Sequence, residues 1–134
     1  MYRLVVDTNV VISSLWGGNP RELVDLWQNG AVHVVSSQEI IEEYMMVLAR
    51  FGLAKVDLKK WAESFFGKTE KVKLDKDVQV IDEDLSDNLF LECADKGLAD
   101  YIISGDRHLL KLKKYKGIKI IKMAEFLNIY NGKL

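Results

Sequence analysis

The chain has 134 residues, 49% of them hydrophobic and 29% charged, a balance that fits one soluble globular domain with a sizeable core. Its formal net charge of -1 says little about partners. The single cysteine, Cys93, excludes an internal disulfide and a cysteine zinc site, no apolar stretch approaches the ~20 residues of a membrane helix, and the N-terminus has no signal-type segment, so a cytoplasmic protein away from the membrane is expected.

Leu4–Val6 is short and too apolar to have one wet face, which reads as a central parallel strand. Thr8 or Asn9 can cap the helix that follows, over Val10–Leu15. Trp16-Gly17-Gly18-Asn19-Pro20 breaks it, and Pro20 suits the start of a second helix that carries Leu23, Leu26 and Trp27 and ends near Asn29-Gly30. Val32–Val35 is a second strand. Ser36-Ser37 then caps a helix through about Arg50, with Ile40, Ile41, Tyr44, Val47 and Leu48 facing the core. Asp57 is placed to cap a fourth helix with Leu58, Trp61, Phe65 and Phe66 as its apolar stripe. The charged stretch 68–76 resists assignment. Val78–Ile81 reads as a third strand, Asp87–Lys96 as a helix ending at Gly97, and Tyr101–Ser104 as a fourth strand. A short helix over Leu109–Lys113, a fifth strand at Ile118–Ile121 and a helix over Ala124–Tyr130 complete the chain. The alternation predicts an α/β fold: a three-layer α/β/α sandwich around a mostly parallel five-stranded sheet.

In such sheets ligands gather outside the carboxyl ends of the strands. Asp7 and Asp106 both occupy carboxyl ends, nearly a hundred residues apart. Asp7 reads either as a helix cap or as a functional acid. Asp7-Thr8-Asn9 offers three caps where one suffices, and Thr8 and Asn9 then become groups that orient Asp7. Of Glu39, Glu42 and Glu43, only Glu43 falls on the border of the face centred on Tyr44. It is a surface glutamate or one that leans over a sheet edge. Asp84 and Asp87 suit the start of a helix through its dipole, while Glu92 and Asp95 read as solvated. Asp100 and Asp106 bracket the fourth strand, and at ~3.3 Å per residue they stand roughly 20 Å apart if extended, too far to share one ion.

Acids at the ends of buried strands are costly without compensation. A divalent cation is the simplest one, and it implies hydrolytic chemistry on phosphate. The sequence holds no glycine-rich phosphate loop and no serine with a companion histidine that can be placed. His33 reads as packed or edge-exposed within its strand, and Cys93, in line with Leu89 and Phe90, as a buried inert thiol. Lys111, Lys113, Lys114, Lys116, Lys119 and Lys122 crowd the end of the chain, either as a nucleic-acid face or as solvated surface. Trp16, Trp27, Trp61, Phe65 and Phe66 exceed what two outer helical layers readily bury, so an apolar surface patch is expected.

Four segments together resemble the PIN-domain family, nearly end to end. They are Val5-Val6-Asp7-Thr8-Asn9, Glu43 within Ser37–Tyr44, Asp87 within Asp84–Leu91, and Ser104-Gly105-Asp106-Arg107-His108-Leu109-Leu110 with Ala99–Ile103 before it. Ser104 stands where the family usually has threonine and keeps the hydroxyl. The resemblance implies a ribonuclease with Mg²⁺ or Mn²⁺ held by Asp7, Glu43, Asp87 and Asp106. Thr8, Asn9 and Ser104 would orient ligands or contact the scissile phosphate. It also implies a VapC-like toxin that cleaves RNA, is silenced by a cognate antitoxin and forms a homodimer. A non-catalytic module that kept the fold is the alternative. An aspartate-nucleophile phosphatase needs a second aspartate two residues after Asp7, where Asn9 stands.

Overall fold

A computed structural model of the protein describes residues 1–76 and 85–132. Its strands are β1 (Arg3–Val6), β2 (His33–Ser36), β3 (Thr69–Lys71), β4 (Tyr101–Ile103), β5 (Lys114–Tyr115) and β6 (Ile118–Ile121). Its helices are α1 (Thr8–Ser13), α2 (Gly18–Gln28), α3 (Gln38–Arg50), α4 (Lys55–Lys68), α5 (Leu85–Lys96), α6 (Arg107–Leu112) and α7 (Met123–Tyr130), with one 3-10 turn at Ser14–Trp16.

The described strands form one sheet in the order β3-β2-β1-β4-β6-β5. All pairings are parallel except β5 with β6. The central strands β1 and β4 are buried almost throughout, as apolar runs without alternation require, and β6 exposes only Lys119. Successive side chains on a strand point to opposite faces. Val34 lies with Trp27, Tyr44 and Phe65 on one side. Val35 meets the end of α5 on the other, where a Cβ on Gly97 would sit 2.3 Å from Val35 Cγ1. Helices therefore cover both faces, as the alternation predicts.

The described sheet has six strands rather than the expected five. Ser36 pairs with Lys71, so β3 arises within the charged stretch that resisted assignment. Its exposed residues pair at a sheet edge, where apolar content is not needed. The expected strand Val78–Ile81 lies outside the described residues. The short β5 forms a hairpin through Lys116 (φ 49) and Gly117 (φ 82), and two positive φ angles in a two-residue loop match the twist of the strands.

Of the candidate caps for the first helix the structure selects Asp7, and one other cap differs from expectation. Asp7, not Thr8 or Asn9, caps α1, which begins at Thr8. Asp57 lies in the first turn of α4, whose cap position is Ala54. Ser37 caps α3 as expected, accepting the Ile40 N–H at 3.1 Å.

Trp27 stacks on Phe65 within the core and Tyr44 tilts against the same ring, with half-buried Trp61 also stacked on Phe65. Trp16 and Phe66 remain exposed, so only part of the aromatic set reaches the surface. Cys93 is fully buried, and burial pushes its thiol up to about 12. No helix among the described residues is long and apolar enough to cross a membrane.

Candidate active site

Asp7, Glu43, Asp87 and Asp106 all line one cavity of about 180 Å³, together with Thr8, Asn9, Val47 and Phe90. They come from four separate places in the chain. Asp7 follows β1, Glu43 rides on α3, Asp87 lies in the first turn of α5 and Asp106 caps α6. Asp7 and Asp87 are only 4% and 3% exposed, so both carboxylates are recessed.

Backbone and hydroxyl groups fix these acids. The Asp7 N–H donates to Ile103 O at 3.0 Å, which ties β1 to β4 at its carboxyl end. Asp7 Oδ1 accepts the Asn9 N–H at 3.0 Å, and Oδ2 accepts the Ser104 hydroxyl at 2.5 Å. Ser104 Oγ in turn accepts the Asp106 N–H at 2.9 Å. Asp106 Oδ1 accepts the N–H groups of His108 at 2.7 Å and Leu109 at 3.3 Å, so the cap of α6 also aims the acid. The Thr8 hydroxyl donates to Glu43 and the buried Tyr44 hydroxyl donates to Val6 O. Thr8 thus orients Glu43, whereas the sequence pointed to Asp7 as the acid it orients. Asn9 serves Asp7 through its backbone, and its side chain is exposed.

Burial raises the Asp7 pKa from its ordinary value of 3.8. The Ser104 hydroxyl and the Asn9 N–H oppose the rise, while the negative charges of Asp106 and Glu43 add to it. Burial also holds the Tyr44 hydroxyl well above its ordinary range. Ser104 is 1% exposed and links two of the acids.

Among the described residues, no group of three or more His, Cys, Asp or Glu side chains is already arranged to hold an ion. The donor set nevertheless suits a hard divalent cation, because every candidate ligand is a carboxylate oxygen. The negative charges of Asp106 and Glu43 press on Asp7 across one small cavity, and a cation would relieve that repulsion.

Asp100 lies at the opposite edge, as its strand geometry predicts. Its Oδ2 accepts the Arg3 N–H at 2.8 Å and its own N–H donates to Arg3 O at 2.7 Å. Glu92 is a correction: it is 3% exposed rather than solvated. It accepts the N–H groups of Asp75 and Lys76, the latter at 2.8 Å, and pairs with Lys96 at 3.7 Å. Most of α5 from Asp87 to Ala94 is buried, so its periodicity carried no sign of which acid faces water. Asp95 is paired with Lys116 at 3.1 Å. Of the C-terminal lysines, Lys122 follows the carboxyl end of β6, whereas Lys116 sits in the hairpin turn before its amino end.

A family model for the PIN domain matches residues 3–108, a span that includes all four acids. No curated protein matches the chain.

Proposed function

The chain belongs to the PIN-domain family, and from that premise we propose that it is a metal-dependent endoribonuclease, the toxin subunit of a toxin–antitoxin pair acting in the cytoplasm. Residues 1–134 are read as one nuclease domain. The observation that carries the reading is the convergence of Asp7, Glu43, Asp87 and Asp106 on one cavity at the carboxyl edge of the sheet.

These four carboxylates would hold Mg²⁺ or Mn²⁺. Such an ion, when bound, supplies a water of lowered pKa and offsets charge on the phosphodiester. The remaining work belongs to the chain. Ser104 and the Asn9 N–H hold both oxygens of Asp7 in place, and Thr8 holds one oxygen of Glu43. Asp106 is aimed by two N–H groups of α6. Such positions are set before substrate arrives, so little reorganisation is needed at the moment of reaction. Val47 and Phe90 contribute apolar wall to the cavity, which strengthens every charge interaction inside it.

The antitoxin and a second copy of the chain are the proposed protein partners. Exposed apolar surface supports them. Trp16 is 68% exposed and meets the exposed Phe51 edge to face at 5.5 Å. Beside them a groove of about 350 Å³ between α2 and α4 carries Leu15, Val24, Leu53 and Trp61 among polar residues that include Arg21, Asp25, Asp57 and Lys60. Such patches mark interaction sites.

The test is cleavage of single-stranded RNA with Mg²⁺ or Mn²⁺, with EDTA, and with Asp7→Asn. Cleavage is expected with either metal and is expected to vanish in the other two conditions. Full activity in EDTA sinks the proposal. RNA that is bound and never cut points to the non-catalytic module.

A further inference from the structure

We propose that the substrate backbone crosses the carboxyl edge of the sheet between two lysine-bearing cavities, with Lys73 and Lys76 on one flank of the acids and Lys122 on the other, and that buried Glu92 positions Lys76. The proposal deepens the nuclease reading and rests on it for the identity of the strand.

The sheet order sets the line of travel. Lys71 ends β3, Asp7 follows β1, Ser104 follows β4 and Lys122 follows β6. Neighbouring strands are ~4.8 Å apart, so the four steps from β3 to β6 span about 19 Å. On the β3 side an open cavity of about 520 Å³ is lined by Gln38, Glu39, Lys71, Lys73 and Lys76 among others. Glu39 and the site acid Glu43 are one turn apart on α3, about 6 Å along its axis. On the β6 side a cavity of about 360 Å³ is lined by Asn9, Ser104, Gly105 and Lys122 among others. Asn9 also lines the acid cavity, so the two adjoin at that residue.

The acids repel phosphate, and a strand held only there would be held poorly. Lysines at both flanks supply the opposite charge where neighbouring phosphates would lie. Lys71 is already engaged by Phe66, its ammonium donating to the carbonyl at 2.6 Å and lying over the ring. Lys73 and Lys76 are exposed. The Lys76 ion pair with Glu39, at 3.4 Å and with Lys76 63% exposed, is of the kind that exchanges readily for a phosphate.

Lys76 is also built into place. Its backbone has φ 66, a left-handed conformation that a lysine adopts at a cost. The Glu92 carboxylate accepts the Asp75 and Lys76 N–H groups together. Glu92, itself paired with Lys96 at 3.7 Å, thus fixes the backbone from which Lys76 extends beside the acid site.

Binding of a fluorescent single-stranded oligoribonucleotide, followed by anisotropy over a salt series without added metal, tests this. An Asp7→Asn background prevents cutting in every arm. Lys73→Ala/Lys76→Ala should weaken binding and lower the slope of log K against log salt by about 1.4, since each phosphate contact on a single strand contributes ~0.7. Lys122→Ala should lower it by about 0.7. Lys114→Ala/Lys116→Ala, equal in charge removed, should leave the slope unchanged. Glu92→Gln, which cannot accept both N–H groups, should reproduce the loss of Lys76 while Lys73 still contributes. Equal slopes for the Lys73/Lys76 and Lys114/Lys116 variants overturn the path. If wild type cleaves RNA and the Lys73→Ala/Lys76→Ala variant with Asp7 intact cleaves like it, the path fails and the nuclease reading stands. If wild type does not cleave but the variant still loses its slope, the nuclease reading fails and the path stands.

Discussion

Removing the Ser104 hydroxyl should destabilise the protein in a way that depends on pH. In Ser104→Ala, Asp7 Oδ2 loses a donor at 2.5 Å and the Asp106 N–H loses its acceptor at 2.9 Å. Ser104 and Asp7 are both buried, so water does not readily replace the bond. A hydrogen bond to a charged group of this kind contributes about 1.5–3 kcal/mol. The sign with pH follows from Asp7, whose folded pKa lies above its ordinary 3.8 because of burial. The stability attached to that shift is fully present below the unfolded value and is lost as pH rises through the folded one. The serine hydroxyl favours the ionised carboxylate, so its loss raises the folded pKa further and deepens the loss on the alkaline side. Urea unfolding in EDTA at about pH 4 and pH 7 is the assay. The substitution should cost about 1.5–3 kcal/mol at the higher pH and distinctly less at the lower. Ser104→Thr keeps the hydroxyl and should recover most of it. A cost under about 0.5 kcal/mol at neutral pH, the range of an ordinary surface change, would refute the reasoning, as would equal costs at the two pH values.

Asp106→Ala is expected to remove cleavage and weaken Mn²⁺ binding, whereas Asp100→Ala, at the Arg3 edge, leaves metal affinity nearly unchanged; isothermal titration compares them, and equal losses contradict the assignment. Gly97→Ala should cost about 1–3 kcal/mol in urea unfolding, since its Cβ would meet Val35 Cγ1 at 2.3 Å and the Cys93 carbonyl at 3.0 Å. Cys93 should react with a thiol reagent only as fast as the protein unfolds, because its thiol is buried and pushed up to about 12; rapid stoichiometric labelling of the native protein is the contrary result.

Much of the architecture was legible because it depends on near neighbours in the chain. Leu4–Val6 announces itself as a buried strand by lacking polar alternation, and Ile118–Ile121 by three isoleucines in four residues. Ser37 announces the start of α3 by its hydroxyl ahead of an apolar periodic run. The separation of Asp100 from Asp106 followed from the rise of an extended chain alone. Other features depended on a partner far away. Thr69–Lys71 carries no apolar signal and is a strand because Ser36 and its neighbours offer an open edge. Thr8 could be seen as a hydroxyl beside an acid, but its bond runs to Glu43, thirty-five residues on.

The acids mark the division most clearly. By itself the sequence determined the alternation of strands and helices, and so the placing of Asp7 and Asp106 at carboxyl ends, because side-chain period and strand burial are local properties. It put Glu43 on the border of the buried face but could not say whether it reaches the site, and it read Glu92 as solvated. Glu43 reaches the cavity, and Glu92 is buried against the N–H groups of Asp75 and Lys76 instead of lying in water. Only the tertiary structure decided this, because the cost of burying a carboxylate is offset by whichever donors the fold brings to it, and those donors lie elsewhere in the chain.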